Sequence, residues 1–339
     1  MRKYACLTQQ IFGSEKYTIV PLRDQDKYDI MQWRNEQIYH LRQAAPLTTQ
    51  QQEWYFDKVV AQLFETAKPA QLLFSYLEND TCIGYGGLVH INWTDRHAEI
   101  SFIMKTSLEK DFFEFHWRTY LSLIEKVAFE ELNLHKIFTY AFNLRPHLYV
   151  AIEKSNYHLE ATLPGHCLFE GKFIDVLIHS KFNDINIRTA NEADLMRYFN
   201  WTNDEEVRKQ SFNSQPVVLE NHRQWFLKKI KDPNCLMLVF EDARQQPIGQ
   251  VRFENNPDKQ NSIVGVSIDK SFRGKGLAGQ LLTRAVRYFL RENPGYTIEA
   301  YIKTENKGSI GAFKSAGFLF TKNLDYQGFE TVLYTKRNQ

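Results

Sequence analysis

Trp33 and Trp201 stand 168 residues apart, as do Asn35 and Asn203, and each pair lies near the end of a stretch that starts acidic, Asp24 to Asp29 in one case and Asn191 to Asp194 in the other. The parallel continues along the chain. Trp54 and Trp225 each fall on a predicted helix ahead of a group of strands, Cys82-Ile-Gly and Pro247-Ile-Gly each open a strand, and the two halves close on hairpins turning near Gly171 and Gly328. A period of about 165 residues is far too long for a stacked solenoid and signals one domain written twice. The boundary is placed between Lys181 and Asp184, after a strand from Phe173 to His179 and before one at 185–189, which gives domains 1–183 and 184–339. Residues 3–9 and 17–22 read as an opening β-hairpin turning at Phe12-Gly13. Each half then runs strand, helix, helix, strands, helix, strand, helix, strand, an α/β (α+β) plan.

The halves differ most after their central strand. In the second, the strand runs into Arg273-Gly-Lys-Gly-Leu-Ala278, after which Leu277, Leu281, Leu282, Ala285, Val286 and Phe289 recur at helical spacing. Gly274, Gly276 and Gly279 let the backbone approach a ligand without side chains in the way. The N–H groups of such a turn, backed by the positive end of a helix, suit phosphate or pyrophosphate. The P-loop spacing is absent. A dinucleotide fingerprint would want an acid closing a second strand, where Glu292 lies in a polar turn instead. A tight strand-to-helix connection with no ligand is the plain alternative at this point.

Arg273 to Ala278 resembles the R/Q-x-x-G-x-G/A signature of the GNAT acyltransferase superfamily, with Ala278 an accepted variant. Asn306-Lys-Gly-Ser-Ile-Gly-Ala-Phe-Lys-Ser-Ala-Gly-Phe318, after the alternation Ile298, Ala300, Ile302, is similar to that family's second motif. The resemblance implies two tandem GNAT domains, each a mixed, mostly antiparallel sheet flanked by helices, over nearly the whole chain. It implies acetyl-CoA as co-substrate, no metal, and transfer of the acetyl group to a primary amine by direct attack on the thioester. Arg273, Gly274, Lys275, Gly276, Leu277 and Ala278 would hold the pyrophosphate. The backbone of Val266, Ser267 and Ile268 would pair with the pantetheine arm, and the Val266 or Ser267 N–H would polarise the carbonyl. Asn306, Ser309 and Phe313 would complete the cofactor site. Many relatives carry a tyrosine acid where Phe313 stands, so the general acid is left unassigned.

Glu254 shares a strand face with Arg252 and is the candidate general base, a plain ion pair being the alternative; Glu299 and His222 are further candidates. The pattern W-x-N-D/E-x-x-x-R-x-x-S-F, with H-x-x-W and G-x-V-R-F-E, looks like GNAT enzymes that acetylate amino sugars on nucleotides in surface-polysaccharide pathways. That resemblance places Trp201, Asn203, Arg208 and Arg252 on the acceptor side, with an arginine on a phosphate. The sequence type also resembles ribosomal-protein N-terminal acetyltransferases. A non-catalytic CoA-binding or assembly protein is the alternative of another class.

In the first half the corresponding stretch, Thr106 to Trp117, has no glycine and carries Glu109, Asp111 and Glu114. Each like charge would oppose a pyrophosphate by roughly 1 kcal/mol. Asn156 stands in place of Gly317 and Arg145 in place of Asn306; Asn tolerates the left-handed backbone, so the fold survives the change. This half reads as degenerate at its cofactor loop, or as binding phosphates through the side chains of Arg145, His147 and Lys154.

A net charge of +2 gives no reason to expect a nucleic-acid partner. Cys6, Cys82, Cys167 and Cys235 are far apart, without metal-ligand spacing, and read as reduced thiols. No apolar run suggests a signal peptide or a membrane span, so the expected setting is cytoplasmic and the expected partner a small-molecule amine. The duplication allows an internal pseudo-dimer of the two halves.

Overall fold

The computed structural model describes residues 2–14, 16–41 and 43–337. It divides into two compact units, Met1–Asn183 and Asp184–Gln339.

The first unit contains β1 (Phe12–Gly13), β2 (Tyr17–Pro21), α1 (Lys27–Glu36), α2 (Thr49–Tyr55), α3 (Ala61–Glu65), β3 (Leu72–Glu78), β4 (Thr81–Asn92), β5 (His97–Met104), α4 (Glu109–Glu125), β6 (Lys136–Phe142), α5 (Pro146–Glu153), β7 (His158–Phe169) and β8 (Lys172–Phe182). Its strands form one sheet in the order β1-β2-β3-β4-β5-β6-β8-β7. The expected opening strand at 3–9 does not form. Only Phe12 and Gly13 pair with β2, because side chains have taken the backbone groups upstream: Gln10 bonds both the N–H and the carbonyl of Tyr4 at 2.9 and 3.1 Å. The Tyr4 hydroxyl in turn bonds the carbonyl and N–H of Leu73 at 2.7 and 2.9 Å.

The second unit contains β9 (Asn186–Thr189), α6 (Leu195–Asn203), α7 (Glu205–Gln210), α8 (Leu219–Lys229), β10 (Cys235–Glu241), β11 (Pro247–Asn256), β12 (Asn261–Ile268), α9 (Leu277–Glu292), β13 (Thr297–Lys303), α10 (Lys307–Ser315), β14 (Leu319–Tyr326) and β15 (Phe329–Lys336). Its sheet runs β14-β15-β13-β12-β11-β10-β9. Strand alternation splits its core between two faces. Leu238 and Phe240 join Val251, Phe253, Ala300 and the apolar stripe of α9, where Phe289 stacks on Phe253 at 4.5 Å. Met237 and Val239 pack with Tyr198, Trp201 and Phe226. Truncating a fully buried residue such as Leu281 to alanine would cost about 2–5 kcal/mol.

Both sheets are antiparallel except for one central pair, joined through a long helix as a parallel pair requires. In the second unit β12 and β13 pair only at Asn261–Ile263 with Thr297–Glu299, then part, so that Val264–Ile268 run on with β11 alone. In the first unit β5 and β6 pair only from His97 to Glu99. The closing hairpins turn through left-handed pairs, Glu170-Gly171 and Gln327-Gly328, which matches the twist of the flanking strands.

Candidate functional site

The open half of β12 leads directly into the glycine turn. Gly274 and Gly276 have φ of +75° and +71°, a region that side chains rarely adopt, and a Cβ on either would meet nothing within 4 Å. Backbone conformation therefore selects glycine here, while the space above the turn stays clear. The first four N–H groups of α9 have no helical acceptor, so unpaired donors gather where the exposed turn enters the helix. Such a turn suits an anion held by backbone N–H groups. Gly279 has a different reason: its Cβ would stand 2.1 Å from the Ser315 hydroxyl of α10, so this glycine serves helix packing and not ligand approach.

Other expected cofactor residues divide in the same way. Arg273 turns back, its Nε donating to the Ile268 carbonyl at 3.0 Å and its guanidinium pairing with Asp204 at 2.8 Å. Asn306 caps α10, its Oδ1 accepting from the Ser309 N–H at 3.0 Å. Phe313 is buried edge-on against Phe318 at 5.0 Å, so it belongs to the core beneath the site and has no proton to donate. Lys275 lies over the Phe272 ring at 4.9 Å, while Leu277 and Ala278 form the first turn of α9. The Ser267 hydroxyl accepts from Gln250 at 3.3 Å. Val266 and Ile268 face the α9 core.

On the opposite face, Trp201 is buried and its indole N–H donates to Asp269 at 2.9 Å. Together with Asp204 to Arg273, this bond ties the end of α6 to the strand-to-turn junction, a link that no sequence spacing announced. Asn203 is a loop clamp: its amide donates to the Val217 carbonyl and accepts from the Val217 N–H at 2.9 and 2.8 Å. Arg208 holds the Gln215 carbonyl and the Ser211 hydroxyl at 2.9 and 3.1 Å. These three residues, expected on the acceptor, spend their polar atoms inside the unit, holding α6, α7 and the loop that follows them.

Arg252 lies over the Trp225 ring at 5.1 Å and pairs with Glu254 at 2.9 Å; Lys229 reaches the same carboxylate at 3.0 Å. Burial works against ionisation of Glu254, but Arg252 and Lys229 outweigh it and hold the carboxyl below its usual range. A carboxylate held this way is a weak proton acceptor. It also sits opposite Ile263, where β12 and β13 are still joined, and not beside the open half. Lys303, which nothing in the sequence singles out, is buried with its ammonium 4.1 Å from the Phe329 ring and 3.1 Å from the Lys209 carbonyl. Tyr301 alternates with it on the same face, stacked on Tyr326 at 4.4 Å and bonded to Glu299 at 2.9 Å. His222 is a core residue packed among Phe199, Trp225 and Phe226, and its burial lowers its pKa.

Two family models, each described as an acetyltransferase (GNAT) domain, match residues 184–319 and 19–178. The chain belongs to the GNAT acetyltransferases. It is an N-acetyltransferase that draws its acetyl group from acetyl-CoA. Among solved structures it is similar to the spermidine N-acetyltransferase from Vibrio cholerae in complex with CoA and spermine, at 20% identity over 45% of this chain and 95% of that one, with a TM-score of 0.41. Mutant forms of the spermidine/spermine N-acetyltransferase of the same organism match at 21% identity over 50% of this chain and 95% of theirs, with a TM-score of 0.42. Among the described residues there is no cluster of His, Cys, Asp or Glu that could hold a metal ion, and no helix long and apolar enough to cross a membrane.

In the first GNAT unit the corresponding region is filled by side chains. Gln37 bonds the Met104 carbonyl and the Thr106 hydroxyl at 2.7 and 3.0 Å, and Thr106 also bonds Glu36. Arg145, standing where Asn306 does in the second unit, pairs with Glu109 at 3.2 Å and donates to His40 Nε2 at 3.1 Å. Lys154 pairs with Glu114 at 2.9 Å, and His147 packs on Phe113 at 4.3 Å. Where β5 leaves β6, Tyr120 of α4 stacks on Phe102 at 3.9 Å with its hydroxyl 3.4 Å from the Ser101 carbonyl.

Proposed function

We propose that the second unit carries the acetyl transfer and that the acceptor is the primary amine of a nucleotide-linked amino sugar in surface-polysaccharide biosynthesis. The observation that carries the first half of this proposal is the pair of left-handed glycines, Gly274 and Gly276, with open space beside them, at the end of a strand whose outer edge is open. Acetyl-CoA bound there supplies an acyl thioester, already activated toward an amine. The backbone amides of residues 274–278 hold its diphosphate, the free edge of Val266–Ile268 pairs with an extended amide-bearing arm as an added strand would, and the Val266 or Ser267 N–H polarises the carbonyl. Asn306 and Ser309, at the start of α10, would complete the cofactor site. With Phe313 buried, the chain offers no side-chain acid at that position. The proton that the attacking amine sheds then reaches the departing thiolate through water, which suffices because a thiolate is a good leaving group.

Support for the acceptor class comes from the face that carries Ser267. It carries two cations packed on aromatic rings, Arg252 on Trp225, also paired with Glu254, and Lys303 on Phe329, buried and bonded to the Lys209 carbonyl, while its other acid, Glu299, is bonded to Asn261 and Tyr301. Cations beside flat rings suit a phosphorylated, ring-bearing acceptor better than a polycation. Glu254 positions Arg252 in this scheme and takes no proton. The deciding assay follows thiol release from acetyl-CoA with UDP- and CMP-amino sugars, N-terminal peptides and polyamines as parallel acceptors. Turnover confined to the sugar nucleotides, with Lys303→Met raising KM about tenfold, supports the assignment; preference for peptide or polyamine defeats it.

A further inference from the structure

The first unit contains a cavity of about 560 Å³ between α1, the start of α2 and β4. Its walls are largely apolar and aromatic, with Leu22, Ile30, Leu47, Trp54, Phe56 and Tyr85 among them, and Gln50 to Gln52 add neutral polar groups. Arg34 is the one charged side chain among the described residues that line it. The Arg34 guanidinium donates to the Tyr85 hydroxyl at 2.5 Å and to Gln43 Oε1 at 3.0 Å, both neutral acceptors, and no carboxylate pairs with it among the described residues. A half-buried cation with only neutral partners retains attraction for an anion that the protein itself does not supply.

This charged feature is not common to the two halves. Aligning Trp33 with Trp201 puts Thr202 where Arg34 stands, and aligning Ile83-Gly84 with Ile248-Gly249 puts Gln250 where Tyr85 stands. What the halves do share is the wall: Asn35 clamps the backbone of Leu47 at 2.9 and 2.7 Å as Asn203 clamps Val217. A scaffold common to both units thus carries, in the first, an arginine in the wall of a largely aromatic recess. Its donor side, meanwhile, is closed by Gln37, Thr106, Arg145 and Tyr120. We infer that the first unit is a binding module for a small ring-bearing monoanion, with the anionic group on Arg34 and Tyr85 and the ring beside Trp54. This does not depend on which amine the second unit acetylates.

The test uses the full chain and three probes that share one ring system: biphenyl-4-acetate, biphenyl-4-ethanol and biphenyl-4-ethylamine, titrated by calorimetry. The acetate is expected to bind best and the amine least. Arg34→Gln should weaken the acetate by about tenfold or more while leaving the alcohol nearly unchanged. Trp54→Ala, at a side chain more than half exposed and so harmless to folding, should weaken all three. Gly276→Glu, in the other unit, should leave all three as they are. Failure of every probe to bind at millimolar concentration, equal affinity for the three, or loss of acetate binding in Gly276→Glu but not in Arg34→Gln would each overturn the inference.

Discussion

Gly276 separates the backbone requirement of the turn from its ligand requirement. At φ +71° any side chain costs about 1–2 kcal/mol, yet there is room for one. Gly276→Ala and Gly276→Glu should therefore lower the melting temperature alike, while the glutamate, placed where a diphosphate would lie, abolishes acetyl-CoA binding in calorimetry. Glu254 allows an equally sharp distinction. As the partner of Arg252 it should, when changed to Gln, reduce kcat/KM only several-fold with the pH profile unmoved, since its carboxyl is ionised throughout the working range. Loss of the basic limb would instead make it the proton acceptor. His40 gives the first unit a pH signature. Burial first, and then the charge of Arg145, whose guanidinium lies 3.1 Å from Nε2, push its pKa down to about 3. The unfolded imidazole takes up a proton below about pH 6.5 and the folded one does not. Stability should thus be greatest above that pH and decline as pH falls from about 6.5 toward 3, and His40→Gln should flatten the slope in denaturant titrations.

Among the elements, α9 and α10 meet through Gly279 and Ser315. A methyl at 279 forces the serine hydroxyl out of its 2.8 Å bond to the Ala312 carbonyl. Gly279→Ala should destabilise by about 1 kcal/mol and Ser315→Ala should relieve most of that, a coupling that a double-mutant cycle measures. The same contact explains a limit of the sequence. The three glycines looked alike as letters, but two answer to dihedral angle and one to a neighbouring helix from another part of the chain. Periodicity was enough to place α9, the strand alternations and the two closing hairpins, because those depend on local burial and turn chemistry. It failed at residues 3–9, where Gln10 and Tyr4 satisfy backbone groups that a neighbouring strand would have served. It could not tell that Trp201, Asn203 and Arg208 spend their polar atoms on Asp269, Val217 and the 211–215 loop, because such bonds join residues brought together only by the fold. Lys303 was invisible for the opposite reason: on a strand of alternating apolar residues a lysine reads as exposed, and its burial depends on Phe329.

For the molecule as a whole, each unit encloses its own core, so calorimetry should resolve two unfolding transitions. Acetyl-CoA at a hundredfold excess over its Kd should raise one of them, by about 2.7 kcal/mol of stability, and leave the other in place. Titration should saturate at one coenzyme per chain, and two would mean that the first unit opens its donor side. Trp54 and Trp225 bear on this directly. The first indole is exposed beside the recess of one unit, and the second is covered by a guanidinium in the other. Of the six tryptophans these two are the ones set beside a recess and under a guanidinium, so a change in the protein's own fluorescence that Trp54→Phe abolishes and Trp225→Phe leaves would place a compound in the first half without any added dye, and the reverse would place it in the second.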